Sequence, residues 1–270
     1  MSQMDESATP HVIDSSKPHP ARMYDFWLGG KDNYPVDEEL GRRMLAIEPS
    51  VRDVAQSNRA FMRRVTSWAA GNGMRQFLDI GTGIPTEPNL HQVAQRVAPE
   101  ARVVYCDNDP IVLAHAEALM QGTPEGATLY AKADFREADR ILEQAAEILD
   151  LSQPVQLSLI ALLHFVSDEQ NAYELVGRLG DALAPGSQMV ITHASYIPGD
   201  ARLAEVDNQY KAGEITLALR SRDEVARFFG DFDVLEPGLV TPDQWRPELG
   251  ELPERQLDPT VPFYAGVARR

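Results

Sequence analysis

The segment Phe77-Leu78-Asp79-Ile80-Gly81-Thr82-Gly83-Ile84-Pro85-Thr86 carries the strongest local signal for chemistry in the chain. An apolar run ends near an acid, a Gly-x-Gly turn follows, and a helical stretch comes next. Glycine lets the backbone turn sharply and lets a ligand lie against it. In a doubly wound sheet, such a turn at the carboxyl end of the first strand is where ligands bind. Taken alone, Gly-x-Gly also describes a plain tight turn.

Other strand ends add to it. A second apolar run, Val103–Cys106, leads into Asp107-Asn108-Asp109-Pro110. An acid at the end of the second strand can accept from both hydroxyls of a ribose, which makes Asp107 the ribose candidate. Asp109 has a sufficient structural role as a helix N-cap ahead of Pro110. A third run leads into Lys132-Ala133-Asp134-Phe135-Arg136. There Asp134 can accept from an adenine amino group and Phe135 can cover the ring, with capping of the next helix as the structural alternative. The fourth run ends at Leu162–Asp168 and puts His164 at the same edge. His164 is the candidate general base, with a structural hydrogen-bonding histidine as the alternative. His193, closing the fifth run, is the second choice. Polar groups at four strand ends along one edge say more than any one of them.

The nucleotide can be narrowed. A dinucleotide fingerprint asks for Gly-x-Gly-x-x-Gly, and Thr86 stands where the third glycine belongs. Asp79 is poorly placed beside phosphate and suits an amino group. S-adenosylmethionine has an ammonium, a sulfonium and no phosphate, so the acidic loop favours it over NAD. The sequence has no Gly-Lys-Ser/Thr phosphate loop and no Cys-x-x-Cys zinc spacing, so no metal site is expected.

These residues need elements to position them. Apolar runs at Gln76–Ile80, Arg102–Cys106, Thr128–Ala131, Val155–Ala161 and Gln188–His193 alternate with helical patterns at about 87–97, 110–121, 137–149 and 169–184. This alternation predicts an α/β fold, a parallel sheet with helices on both faces. A helix at about 221–229, a strand at Asp233–Leu239, a proline-rich loop and Phe263–Val267 suggest a closing antiparallel pair. Residues 36–70 read as helix, broken at Pro49 and stopped by Gly71-Asn72-Gly73. The chain divides into a loose tail (1–17), an N-terminal helical cap or lid (18–72) and the α/β domain (73–270).

The 270 residues carry a net charge of −16, which disfavours nucleic acid and anionic membranes as partners. Arg22, Lys31, Arg42, Arg43, Arg52, Arg59, Arg63 and Arg64 make the one candidate basic patch, and they read as solvated helix faces. Cys106 is the single cysteine and reads as a core residue. No run approaches the roughly 18 apolar residues of a membrane span, and the start lacks an apolar signal region. A cytoplasmic protein acting on a small molecule is expected, with oligomeric state, a homodimer included, left open.

Several segments together resemble a known family. They are Ala21–Asn33 (ARMYDFWLGGKDN), Asn58-Arg59-Ala60-Phe61, Phe77–Gly83, Val104–Pro110 and Leu163-His164-Phe165. The chain is similar, from about residue 18 to its end, to an actinobacterial family of S-adenosylmethionine-dependent methyltransferases within the Rossmann-like class I group. The resemblance implies a seven-stranded, mostly parallel sheet with an antiparallel last strand. It implies that Asp79, Gly81 and Gly83 approach the methionine end of the cofactor and that Asp107 holds the ribose. Asn108 would lie beside the adenine, with Asp134 and Phe135 on its far side. It supplies no methyl acceptor. The aromatic segment Arg22–Tyr34 is the candidate lid, with Tyr24, Trp27 and Tyr34 walling the pocket and Lys31 and Asn33 orienting polar groups. A cap whose aromatics simply fill core is the alternative. A non-catalytic S-adenosylmethionine-binding protein and an NAD-dependent oxidoreductase are the competing functions.

Overall fold

The computed structural model describes residues 14–109, 111–112 and 122–270. Most of the expected tail and most of the helix expected over 110–121 lie outside them.

Seven strands form one sheet: β1 (Gln76–Ile80), β2 (Arg102–Asp107), β3 (Ala127–Lys132), β4 (Gln156–Ile160), β5 (Gln188–Ala194), β6 (Asp233–Val234) and β7 (Phe263–Arg269). Their order is β3-β2-β1-β4-β5-β7-β6. β1 to β5 pair in parallel, and β7 runs against both β5 and β6. The order reverses between β1 and β4, which opens a crevice at their carboxyl ends. The sheet and its antiparallel last strand are those the sequence led us to expect.

Every residue of β1 is buried, as a strand covered on both faces requires. Alternate residues serve opposite layers. Leu78, Val104 and Leu157 pack with Ile141 of α5 (Ala138–Ala145) and Val176 and Leu179 of α6 (Ala172–Asp181). Phe77, Val103 and Tyr105 pack with Met62 and Ala69 of α3 (Val51–Gly71) and Ala94 of α4 (Leu90–Val97). Phe61, Val65 and Ala69 recur every fourth residue, so one stripe of α3 faces the sheet. Thus α3, grouped with the cap by its sequence, is a layer of the sandwich. The preceding helices, α1 (Pro20–Leu28) and α2 (Pro35–Ile47), build a separate cluster of Met23, Trp27, Leu40 and Met44 with Ala55 and with Tyr210 of α7 (Ala201–Ala212).

Two expectations are corrected, and one helix is new. The strand expected over Asp233–Leu239 keeps only its first two residues. Pro237 has no N–H to give a ladder, the Gly238 N–H turns back onto Leu235 O at 2.8 Å, and pairing resumes at Val240 with Ala265. The basic residues are not all solvated. Lys31, Arg42, Arg43 and Arg52 are exposed, but Arg22 and Arg64 are buried and Arg59 and Arg63 are half-buried. Arg64 ties down the long proline-rich loop by donating to the carbonyls of Trp245, Pro242 and Glu251. Finally, α7 had no counterpart in the sequence reading. Its one buried residue is Tyr210, so it has no apolar stripe to detect. Cys106 is fully buried in the core, as expected.

Candidate active site

A cavity of about 530 Å³ opens at the carboxyl edge of the sheet, reached by the ends of β1, β2, β4 and β5 and roofed by α1 and α7. Gly81 has φ +73°, and a Cβ there would stand 2.7 Å from Leu162 Cδ1. Its N–H donates to Cys106 O at 2.8 Å, which clips the glycine loop to β2.

Hydrogen-bond accounting separates the acids at this edge. An ionised carboxylate offers about four lone-pair positions. On Asp107, the Asp109 N–H takes one at 2.9 Å and the Gly83 N–H another at 2.8 Å. Two remain open on a buried side chain that lines the cavity. Burial pushes the Asp107 carboxyl above the usual range, against the pull of those two N–H groups. Asp134 is different. Arg136 donates to it from its backbone N–H, Nε and a terminal NH2, and Asn108 Nδ2 adds a fourth bond at 2.8 Å. Its capacity is filled, and Arg136 holds it down at about 2. Asp134 therefore fixes Asn108, an exposed neighbour at the cavity wall, while the buried Phe135 lies next to it. Asp109 accepts from the Ile111 N–H at 2.9 Å, the capping bond expected of it, and its other oxygen lies 3.1 Å from His19 Nδ1.

Asp79 lines the same cavity at the end of β1. Burial raises its carboxyl to about 7, with Arg59 pulling it down and Asp107 pushing it up. Arg59 comes from α3, lines the cavity, and donates to Thr86 O at 2.6 Å while its buried Nε has no hydrogen-bond partner. One acid and one guanidinium thus line the cavity beside the glycine turn. Charge patterning alone passed Arg59 over, and only its place in Asn58-Arg59-Ala60-Phe61 singled it out.

His164 is buried in the short turn after β4 and lines the cavity. Its Nδ1 accepts from the Ala194 N–H at 3.3 Å. Burial, His193 and Arg220 hold its pKa well below 6.5. The ring is therefore neutral with its proton on Nε2, and the bond to Ala194 opposes the tautomer a base at Nε2 needs. His193 is no alternative. It is fully buried, Nδ1 meets Ala194 O, Nε2 meets Arg220 at 3.0 Å, and burial drives its pKa to about 3. Arg220, which the sequence reading did not single out, also donates to the carbonyls of Leu163 and Val166 and pairs with Asp168, so it sets the loop that carries His164.

The expected lid residues divide. Tyr24 and Trp27 line the cavity. Tyr24 Oη donates to Ala55 O and Trp27 Nε1 to Gly41 O, so both rings are fixed. Lys31, Asn33 and Tyr34 are not in the cavity wall. Asn33 Nδ2 and the Asp32 N–H instead donate to Asp25, whose side chain is buried. A Cβ on Gly30 would lie 1.9 Å from Asp25 Oδ1. Gly-Gly-Lys-Asp-Asn is thus a turn locked onto the end of α1. Tyr34 packs with Ile84, Ile111 and Val112. Among the described residues, no group of three or more His, Cys, Asp or Glu could hold a metal ion, and no helix is long and apolar enough to cross a membrane.

A sheet reversed between β1 and β4, closed by an antiparallel β7 and carrying an acid before its glycine turn, is the Rossmann-like fold of methyltransferases. The profile of the S-adenosyl methyltransferase family matches residues 6–270, and the chain belongs to that family, whose cofactor is S-adenosylmethionine. Two solved structures are similar along their whole length. A DUF574-family protein from Streptomyces avermitilis is 41% identical, with a TM-score of 0.91 over 96% of this chain and 100% of that one. A candidate methyltransferase from Thermobifida fusca is 35% identical, with a TM-score of 0.85 over 98% of this chain and 99% of that one. No curated protein matches.

Proposed function

We propose that this chain transfers a methyl group from S-adenosylmethionine to a small-molecule acceptor held in the same cavity. The half-satisfied carboxylate of Asp107 is the observation that carries the reading: its two open positions suit the two hydroxyls of a ribose. Asp79 and Arg59 fit the amino-acid end, with an acid for the ammonium and a guanidinium for the carboxylate. Gly81 and Gly83 let the backbone lie close to that end. Asn108, held by Asp134, and the buried Phe135 take the adenine. When bound, the cofactor would supply an electrophilic methyl for an acceptor lone pair, its sulfur keeping the electron pair of the carbon–sulfur bond while any proton on the acceptor atom passes to water.

The protein's share is alignment and exclusion of water. Trp27 and Tyr24 close the roof. His164 orients an acceptor atom by donating from Nε2, which replaces the general-base role considered for it. A cytoplasmic setting, with the acceptor a freely diffusing small molecule, is part of this reading. An NAD-dependent reaction draws no support from the loop, because helix α4 begins only at Leu90, well beyond the glycines, and offers no N-terminus close to them for a pyrophosphate.

Calorimetric titration with S-adenosylmethionine and S-adenosylhomocysteine, with NAD as control, tests the reading. Micromolar binding of the first two and none of NAD is expected. Binding of NAD alone, or of none, would leave the fold and remove the function.

A further inference from the structure

The cavity divides by chemistry. Where β1, β2 and β3 end, its wall is charged, with Asp79, Asp107, Asp134, Arg59 and Arg136. Where β4 and β5 end and β7 begins, beneath α1, α2 and α7, the wall is apolar. Trp27, Met44, Phe165, Val206, Tyr210 and Leu217 line this half and belong to one hydrophobic cluster.

The cations bordering the apolar half are all committed. Arg220 is consumed by Asp168, His193 and the carbonyls of Leu163 and Val166. Arg202 pairs with Glu48 at 3.1 Å and with Asp200 at 2.7 Å. Lys17 pairs with Glu214 at 2.6 Å at the rim. Glu48 and Glu214 themselves lie in the wall, and among the described residues no lysine or arginine does so on this side. The Ser195 hydroxyl donates to Arg220 O and the Ser50 hydroxyl to Glu48. Among the described residues, His164 Nε2 and the hydroxyls of Tyr210 and Thr216 line this half without a hydrogen-bond partner, as does the buried Asn58 Oδ1 at its border, so what the wall offers an acceptor is neutral polar groups. His164 and Tyr210 stand close together. They flank one aromatic wall: the His164 and Phe165 rings are 4.3 Å apart, and those of Phe165 and Tyr210 are 6.1 Å apart.

An anion entering this half would shed water and find no free cation, only two carboxylates of its own sign that already hold Lys17 and Arg202. An apolar body loses nothing by entering. We infer that the methyl acceptor is an uncharged, largely apolar small molecule, seated on the Phe165–Tyr210 wall and oriented by an oxygen or nitrogen lone pair that accepts from His164 Nε2. Anionic acceptors such as carboxylates and sulfonates are rejected. The inference rests on the cofactor occupying the charged half, as proposed above.

A matched pair of fluorescent probes tests it: N-phenylnaphthylamine, which is neutral, and its sulfonated analogue, anilinonaphthalene sulfonate. Both are titrated into the full-length protein with and without S-adenosylhomocysteine. The neutral probe is expected to bind at least tenfold tighter than the sulfonate. Val206→Trp, which fills the apolar half, is expected to weaken the neutral probe at least tenfold and leave S-adenosylhomocysteine affinity unchanged. Leu217→Trp repeats the test if Val206→Trp does not fold. Equal or tighter binding of the sulfonate, failure of both probes to bind, or indifference of the neutral probe to the filling variant would overturn the inference. Failure of S-adenosylhomocysteine to bind strikes the cofactor reading instead, and the probe titration without it still reports on the apolar half.

Discussion

At the scale of single residues, Asp107 and Asp79 differ in how their carboxylates are used. Asp107 keeps two acceptor positions open, and each hydrogen bond to a charged group is worth about 1.5–3 kcal/mol. Asp107→Ala is therefore expected to lower S-adenosylhomocysteine affinity by roughly a hundredfold or more, as read by calorimetry. Unchanged affinity would remove Asp107 from the ribose site. Asp79 predicts a pH dependence. Its folded-state carboxyl is raised from 3.8 to about 7, so the cofactor-free protein holds a proton that the unfolded chain releases near pH 4. This group makes the free protein less stable as pH rises from about 4 to 7. Pairing with the ligand's ammonium needs the ionised acid. Affinity should then rise by up to about tenfold per pH unit below pH 7 and level off above it. Titrations at several pH values check this, and Asp79→Asn should flatten the slope.

At the scale of elements, the most distinctive stretch of sequence is structural. Gly30 has no room for a Cβ beside Asp25, and Asp25 collects the Asp32 N–H and Asn33 Nδ2. Gly30→Ala should cost about 1–3 kcal/mol through overpacking and lower the melting temperature by several degrees. Lys31→Ala, at an exposed position outside the cavity wall, should change neither stability nor cofactor affinity. A large affinity loss with Lys31→Ala would restore Lys31 to the lid. Helices with a stripe, such as α3, were legible because their period shows which face is buried. The helix α7 was not, since it buries one side chain and roofs a cavity. The His164 segment shows the same limit at its end: a histidine at a strand terminus is visible in sequence, but its tautomer depends on Ala194, thirty positions away.

At the scale of the whole molecule, the long loop between β6 and β7 is held by burial and not by regular structure. Trp245 is fully buried and meets Phe61 and Trp68 edge-on, with ring centroids 5.5 and 5.7 Å away. Arg64 binds the loop's carbonyls from α3. Arg64→Met leaves those buried carbonyls without a donor and should destabilise the protein by about 2 kcal/mol or more, read as a lower denaturation midpoint. Limited proteolysis should then cut first within residues 235–262. Cleavage elsewhere at the outset would show that the loop is held by Trp245 alone.

What the sequence determined by itself follows from periodicity and turn chemistry, which act over a few residues. Strand and helix alternation, the glycine turn after Asp79, the acid at the end of β2 and the antiparallel close were all visible in it. What needed the tertiary structure was every property set by groups distant in the chain. Arg136 takes three positions on Asp134 locally, but the fourth is filled because Asn108 reaches it from another strand end. Arg59 enters the cavity because α3 lies on the sheet, and Lys31 and Asn33 stay out because Asp25 folds their turn back on α1. The apolar half is assembled from α1, α2, α7 and the turn after β4. Burial and hydrogen-bond capacity are sums over neighbours in space, and no local pattern of residues encodes them.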